Sequence, residues 1–149
     1  MSKIIVKNNG ALRGEVEIGG SKNAALPILA ASILTRGKNR ILGLPHLSDI
    51  AIMYSLLESL GARISEFPDG IEIDTSSVFQ YSAPYEQVIK MRGSFLLAGP
   101  LLSVLGKARI CLPGGCPIGS RPIDLHLKGF ARLGASISQE HGYIELEAQ

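Results

Sequence analysis

The residues best suited to chemistry lie in one short run, Leu112-Pro113-Gly114-Gly115-Cys116-Pro117-Ile118-Gly119-Ser120-Arg121-Pro122. A single thiol sits among three glycines and three prolines, five residues before an arginine, where a helix is expected to begin. Glycines let a backbone approach a ligand closely, and prolines stiffen a loop that would otherwise wander. A cysteine becomes nucleophilic where cations and helix N-terminal N–H groups favour its thiolate, and this segment can supply both. The same residues also read as a turn with an incidental small side chain, since free cysteines often serve as buried packing.

An internal repeat shows which elements must position that loop. Gly37-Lys38-Asn39-Arg40-Ile41 returns as Gly106-Lys107-Ala108-Arg109-Ile110, an offset of 69. Leu60-Gly61-Ala62-Arg63-Ile64-Ser65 returns as Leu133-Gly134-Ala135-Ser136-Ile137-Ser138, an offset of 73. The second copy has gained four residues between those landmarks, and Cys116 lies in that interval. The matching stretch of the first copy, Leu42 to Ser48, reads as a plain connection. Loops on a fixed scaffold are where binding and catalysis concentrate, so a loop lengthened in one copy alone is a functional candidate.

Each copy opens with a polar start and an apolar run: Ser21-Lys22-Asn23 then Ala24 to Leu34, and Met91 to Ser94 then Phe95 to Leu105. Such runs predict helices that are apolar, and hence buried, all round. A strand follows at Asn39 to Leu42 and Ala108 to Leu112. A second helix follows at Asp49 to Leu60 and Pro122 to Leu133, each ended by a glycine suited to the left-handed C′ position, Gly61 or Gly134. Two strands close each copy, Arg63 to Glu66 with Ile71 to Asp74, and Ser136 to Gln139 with Tyr143 to Glu147. Their strict alternation leaves one sheet face in water. The expected fold class is therefore α/β with helices inside and sheets outside, the reverse of the usual barrel. Asp74 to Pro84 reads as the linker between copies.

Composition narrows the function classes. The chain has 149 residues, 46% of them apolar, enough for a sizeable core and too apolar for disorder. Fifteen basic and 13 acidic residues leave a net charge of +2, with no Trp and no basic-aromatic patch, so nucleic acid is not an expected partner. No apolar run is long enough to span a membrane, and the N-terminal residues lack a signal peptide's apolar core. Cys111 and Cys116 with the dispersed His46, His126 and His141 suggest neither a metal site nor a disulfide framework. A reducing cytoplasm is the expected setting, and no cofactor is expected.

Three motifs, Ser21-Lys22-Asn23-Ala24-Ala25-Leu26-Pro27, Met91-Arg92, and Leu112 to Cys116 continuing through Ser120-Arg121-Pro122-Ile123-Asp124-Leu125-His126, resemble the enolpyruvyl transferases. Within that family they resemble the branch that acts on UDP-N-acetylglucosamine and opens bacterial peptidoglycan synthesis. The resemblance runs over essentially the whole chain. It implies an inside-out α/β barrel of βαβαββ units, three to a domain and two domains to a protein, two units being present here. It also implies transfer of enolpyruvate from phosphoenolpyruvate to the 3-hydroxyl of UDP-N-acetylglucosamine, releasing phosphate.

On that resemblance Cys116 is the catalytic residue, donating a proton or attacking as a thiolate. Lys22, Asn23 and Arg121 bind phosphoenolpyruvate. Asn23, Arg92, Arg121, Pro122, Ile123, Asp124 and Leu125 bind UDP-N-acetylglucosamine. Lys22, Arg92 and Arg121 each stand at an expected helix start, where free N–H groups and a cation together suit an anion. Asn23 reads equally as a helix cap, and Asp124 also as a first-turn carboxylate favoured by the helix dipole. Cys111 is expected to be packing, and the three histidines to be structural.

The resemblance further implies that residues 1–20 belong to a second domain, with residues 21–75 and 84–149 forming two repeat units of the first. Family members are longer, and their acid–base carboxylates and a further arginine have no counterpart here. The chain by itself is accordingly expected to be inactive. A non-catalytic remnant or partner-binding module that keeps the fold is the alternative expectation.

Overall fold

A computed structural model of the chain describes residues 3–8, 10, 11, 13–111 and 123–148. Among the described residues before Lys22 there is no helix or strand, and all are exposed. From there the chain builds two units of like topology. The first contains α1 (Lys22–Ala31), β1 (Lys38–Leu42), α2 (Ser48–Ser59), β2 (Arg63–Phe67) and β3 (Gly70–Asp74). The second contains α3 (Tyr85–Val88), α4 (Ala98–Leu105), β4 (Lys107–Cys111), α5 (Asp124–Arg132), β5 (Ser136–Glu140) and β6 (Tyr143–Glu147).

The repeat offsets reappear as strand register. In the first unit β3 lies between β1 and β2, antiparallel to both, with Asp74 opposite Lys38 on one side and Arg63 on the other. In the second, β6 lies between β4 and β5, with Glu147 opposite Lys107 and Ser136. Both helices that cross between parallel strands end alike. After α2, Gly61 (φ 107) donates to the Glu58 carbonyl and Ala62 to that of Leu57; after α5, Gly134 (φ 94) donates to Ala131 and Ala135 to Phe130. These paired bonds are the Schellman motif, which needs the left-handed residue that only glycine adopts without strain.

Alternation along β3 and β6 turns Ile71, Ile73, Ile144 and Leu146 inward. Outside, cross-strand ion pairs such as Lys38–Glu72 at 3.0 Å and Lys107–Glu147 at 2.8 Å meet water, each contributing roughly 0–1 kcal/mol. One core runs through both units, centred on Leu29, Ile33, Met53, Leu57, Leu97 and Leu101. Thr75, buried at the end of β3, donates to the Ser32 carbonyl and accepts from the Gly37 N–H. It thereby ties the end of α1 to its sheet. Helices α1, α2 and α4 lie inside and the sheets outside, while α5 has no buried residue.

Three expectations need correction. The apolar run is not buried all round: Ile28 is 51% exposed, because α1 packs against α2 and residues 92–97 on one side, and Leu34, in the 3-10 turn Ser32–Thr35 that ends the run, is 52% exposed. The run from Arg92 is not one α-helix but a 3-10 segment, Arg92–Leu97, followed by α4. Pro100 has no N–H to bond the Leu96 carbonyl, so α-helical bonding starts only where that proline falls in a first turn. The linker is not featureless. Ala83 donates to the Arg109 carbonyl at 3.2 Å and Arg109 to that of Tyr81 at 2.7 Å, so the linker lines the outer edge of β4.

Candidate active site

Lys22 is the first residue of α1, and no side chain caps that helix. Its Nζ donates to Asp49 Oδ2 at 2.7 Å across the first turn of α2, which is likewise uncapped. Two helix starts therefore meet at one end of the fold, with an ammonium and a carboxylate between them. Their side chains are 42% and 31% exposed, so the pair is accessible and contributes about 1 kcal/mol at most. A cation held this way keeps donors free for a second anion. Asp49 is the partner that sequence reasoning missed; an acidic residue in the first turn after Leu42 to Ser48 was its only signal.

Asn23 is exposed and does not cap α1, which removes the capping role left open above. Pro27 within α1 has no N–H for the Asn23 carbonyl, leaving that acceptor outside the helix ladder. Arg92 begins the 3-10 segment packed against α1, and the next residue, Gly93, lies against Leu26 closely enough that an added Cβ would stand 3.0 Å from Leu26 Cδ1. Phe95 of that segment meets His126 of α5 edge-on, with ring centroids 5.6 Å apart. His126 is thus packed against the 92–97 segment. These contacts link α1 to α2 and to the 92–97 segment, and that segment to α5.

Asp124 is the first residue of α5 and exposed, Ile123 is half-buried before it, and Leu125 is 74% exposed. Cys116, Arg121 and Pro122 lie outside the described residues. Cys111, at the end of β4, is fully buried, and burial pushes its thiol pKa up, which makes it packing as expected. Among the described residues no three His, Cys, Asp or Glu side chains gather as a metal site. No described helix is long and apolar enough to cross a membrane.

Two units of α-β-α-β-β order, with α1, α2 and α4 inward and the sheets outward, define an inside-out α/β architecture. The sequence profile of the EPSP synthase (3-phosphoshikimate 1-carboxyvinyltransferase) family matches residues 6–149, and the chain belongs to this family of enolpyruvyl transferases. It is 51% identical over 148 residues to UDP-N-acetylglucosamine 1-carboxyvinyltransferase 2 of Carboxydothermus hydrogenoformans, covering 99% of this chain and 35% of that protein. It is 50% identical over 149 residues to the UDP-N-acetylglucosamine 1-carboxyvinyltransferase of Desulfatibacillum aliphaticivorans, covering 100% of this chain and 36% of that one. The chain thus spans about a third of the length of these curated relatives. The crystal structure of the enolpyruvyl transferase NikO from Streptomyces tendae matches with a TM-score of 0.78 at 24% identity, over 95% of this chain and 31% of that chain. That likeness shows the shared fold.

Proposed function

We propose that this chain supplies one wall of a site that transfers enolpyruvate from phosphoenolpyruvate to the 3-hydroxyl of UDP-N-acetylglucosamine, in peptidoglycan synthesis. The observation that carries the reading is Lys22, held by Asp49 at two adjoining helix starts, in a chain half-identical to proteins named for this reaction.

Phosphoenolpyruvate resists attack by an alcohol until its C3 methylene takes a proton and C2 becomes electrophilic. Lys22 and Arg121 bind the phosphate and carboxylate, the ammonium as a compact charge and the guanidinium as a fork. Cys116 either gives C3 its proton or, as a thiolate, bonds C2 while C3 is protonated by another acid, in which case the C2–S bond breaks again before the sugar attacks. The sugar 3-oxygen then bonds C2 and loses its proton. The C2–O bond to phosphate breaks, C3 gives up a proton to restore the double bond, and inorganic phosphate leaves. Asn23, Arg92 and the segment Pro122, Ile123, Asp124 and Leu125 hold the nucleotide sugar, with Asp124 accepting hydrogen bonds from the base. Residues 1–20 belong in this reading to a facing domain, whose closure expels water and strengthens each charged contact.

Binding tests the assignment of Asp124. A chimera joining residues 1–149 to the remaining sequence of the Desulfatibacillum aliphaticivorans relative should bind UDP-N-acetylglucosamine in a calorimeter. Asp124→Ala should weaken that binding about 10- to 100-fold, the loss expected for hydrogen bonds to a charged group. Phosphoenolpyruvate-dependent heats should be unaffected. Unchanged affinity for the nucleotide sugar in a folded Asp124→Ala chimera would remove Asp124 from the site.

A further inference from the structure

The stretch from Leu42 to Ser48 reads in the sequence as a plain connection, yet its backbone touches the chain just ahead of α1. Gly20 stands so close to it that an added Cβ would overlap the Gly43 carbonyl oxygen and lie 3.3 Å from Pro45 Cδ. The obstacle is a planar peptide group, which cannot swing aside as the tip of a side chain can. Gly19, one residue earlier, is under no such constraint: a Cβ there would meet nothing within 4 Å.

The connection is held from both ends. Gly43 adopts φ 65 and donates its N–H to the Asp69 carbonyl at 3.1 Å, so the turn between β2 and β3 fixes it from behind. That turn is itself tightly seated, because a Cβ on Gly70 would overlap the Ile41 carbonyl oxygen. At the other end the Leu47 N–H donates to the Pro45 carbonyl at 3.0 Å, and the Leu47 carbonyl accepts from Ile50 and Ala51 in the first turn of α2. The start of α1 is equally fixed, since the Ser21 carbonyl accepts from Ala24 at 3.2 Å and from Ala25 at 2.9 Å. Only Ser21 separates the Gly20 contact from Lys22, and the connection that Gly20 touches leads directly into Asp49. A displacement at residue 20 therefore moves Lys22 relative to Asp49.

We infer that Gly20 is a positioning residue for the proposed reaction: its lack of a side chain sets the spacing between the starts of α1 and α2, and so places Lys22 for its anion. The inference rests on the anion-binding role given to Lys22 above. Misplacing a ligating group by about 1 Å can cost about 10²-fold in rate, which bounds the expected effect.

Crystal structures of the 149-residue chain carrying Gly20→Ala or Gly19→Ala test the seating without reference to the reaction. Gly20→Ala should widen the gap between residues 20 and 43 and draw Lys22 Nζ away from Asp49 Oδ2, whereas Gly19→Ala should leave their 2.7 Å contact in place. In the chimera, Gly20→Ala should lower kcat/KM for phosphoenolpyruvate by about 10- to 100-fold, and Gly19→Ala by less than about twofold. Added to Lys22→Ala, Gly20→Ala should cost no more than about a further threefold, because a residue that acts through Lys22 then has nothing left to position. Additive losses, equal losses at positions 19 and 20, a Gly20→Ala chain that no longer folds, or an undisplaced Lys22 in its structure would overturn the inference. A displaced Lys22 beside a harmless Lys22→Ala substitution would instead refute the proposed anion-binding role while upholding the seating.

Discussion

A small maleimide should alkylate Cys116 at least about tenfold faster than Cys111 at neutral pH, since each unit of thiol pKa is about tenfold in reactive thiolate. The two thiols stand five residues apart in the sequence. Cys111 is fully buried on β4, opposite Tyr143, and burial alone raises its pKa. Cys116 follows two glycines and precedes Arg121, a sequence setting that on the proposed function should leave the thiol open to a reagent. Peptide mapping by mass spectrometry after brief exposure would read the ratio directly. Cys116→Ser should remove the fast phase and leave Cys111 to react only as the fold opens. Preferential labelling of Cys111 in the folded chain would refute the assignment.

The second large effect belongs to Lys22. In the chimera described above, Lys22→Ala should lower kcat/KM for phosphoenolpyruvate by about 10²- to 10³-fold, the usual cost of removing one donor from developing charge in a closed site. Asp49→Asn should do far less, about tenfold or below. An exposed ion pair is worth about 1 kcal/mol at most, and the asparagine oxygen can still accept from Lys22. This ordering separates two roles for the pair. A strut between α1 and α2 would make both substitutions equally damaging, mainly to thermal stability. An anion ligand steadied by a carboxylate makes Lys22 the dominant loss, seen in kcat/KM for phosphoenolpyruvate with the fold intact. Equal losses in both variants would reduce Lys22 to a structural residue.

Features that repeat locally were legible in the sequence. The offsets of 69 and 73 separate Lys38 from Lys107 and Asp74 from Glu147, and both pairs close their sheets at the same register position. Gly61 and Gly134 ended their helices where a left-handed residue was required, because that conformation depends on the residue itself. Alternation in Ile71-Glu72-Ile73-Asp74 fixed which face of the sheet meets the core. What escaped depended on neighbours distant in sequence. Asp49 lies 27 residues from Lys22, and no spacing rule relates two helix starts. Ile28 and Leu34 were read as buried because composition does not say how many sides of a helix are packed. The Tyr85–Val88 helix is too short to establish a period, and Pro100 divides a run that hydropathy alone presents as continuous. The proposed site residues Lys22-Asn23, Arg92 and Cys116 through Leu125 came from motifs, not from periodicity. Of these, Lys22 and Asp124 are the first residues of α1 and α5, and Ile123 packs against the core.

Product identity tests the central claim most directly. The purified chimera, incubated with phosphoenolpyruvate and UDP-N-acetylglucosamine, should release inorganic phosphate in equimolar amount to a new nucleotide sugar. Mass spectrometry and ¹³C NMR should show that sugar carrying a carboxyvinyl ether on its 3-oxygen. Phosphate release should require both substrates and disappear in the Cys116→Ser chimera. A folded chimera that binds both substrates yet forms no ether, or that places the enolpyruvyl group on another oxygen, would contradict the account.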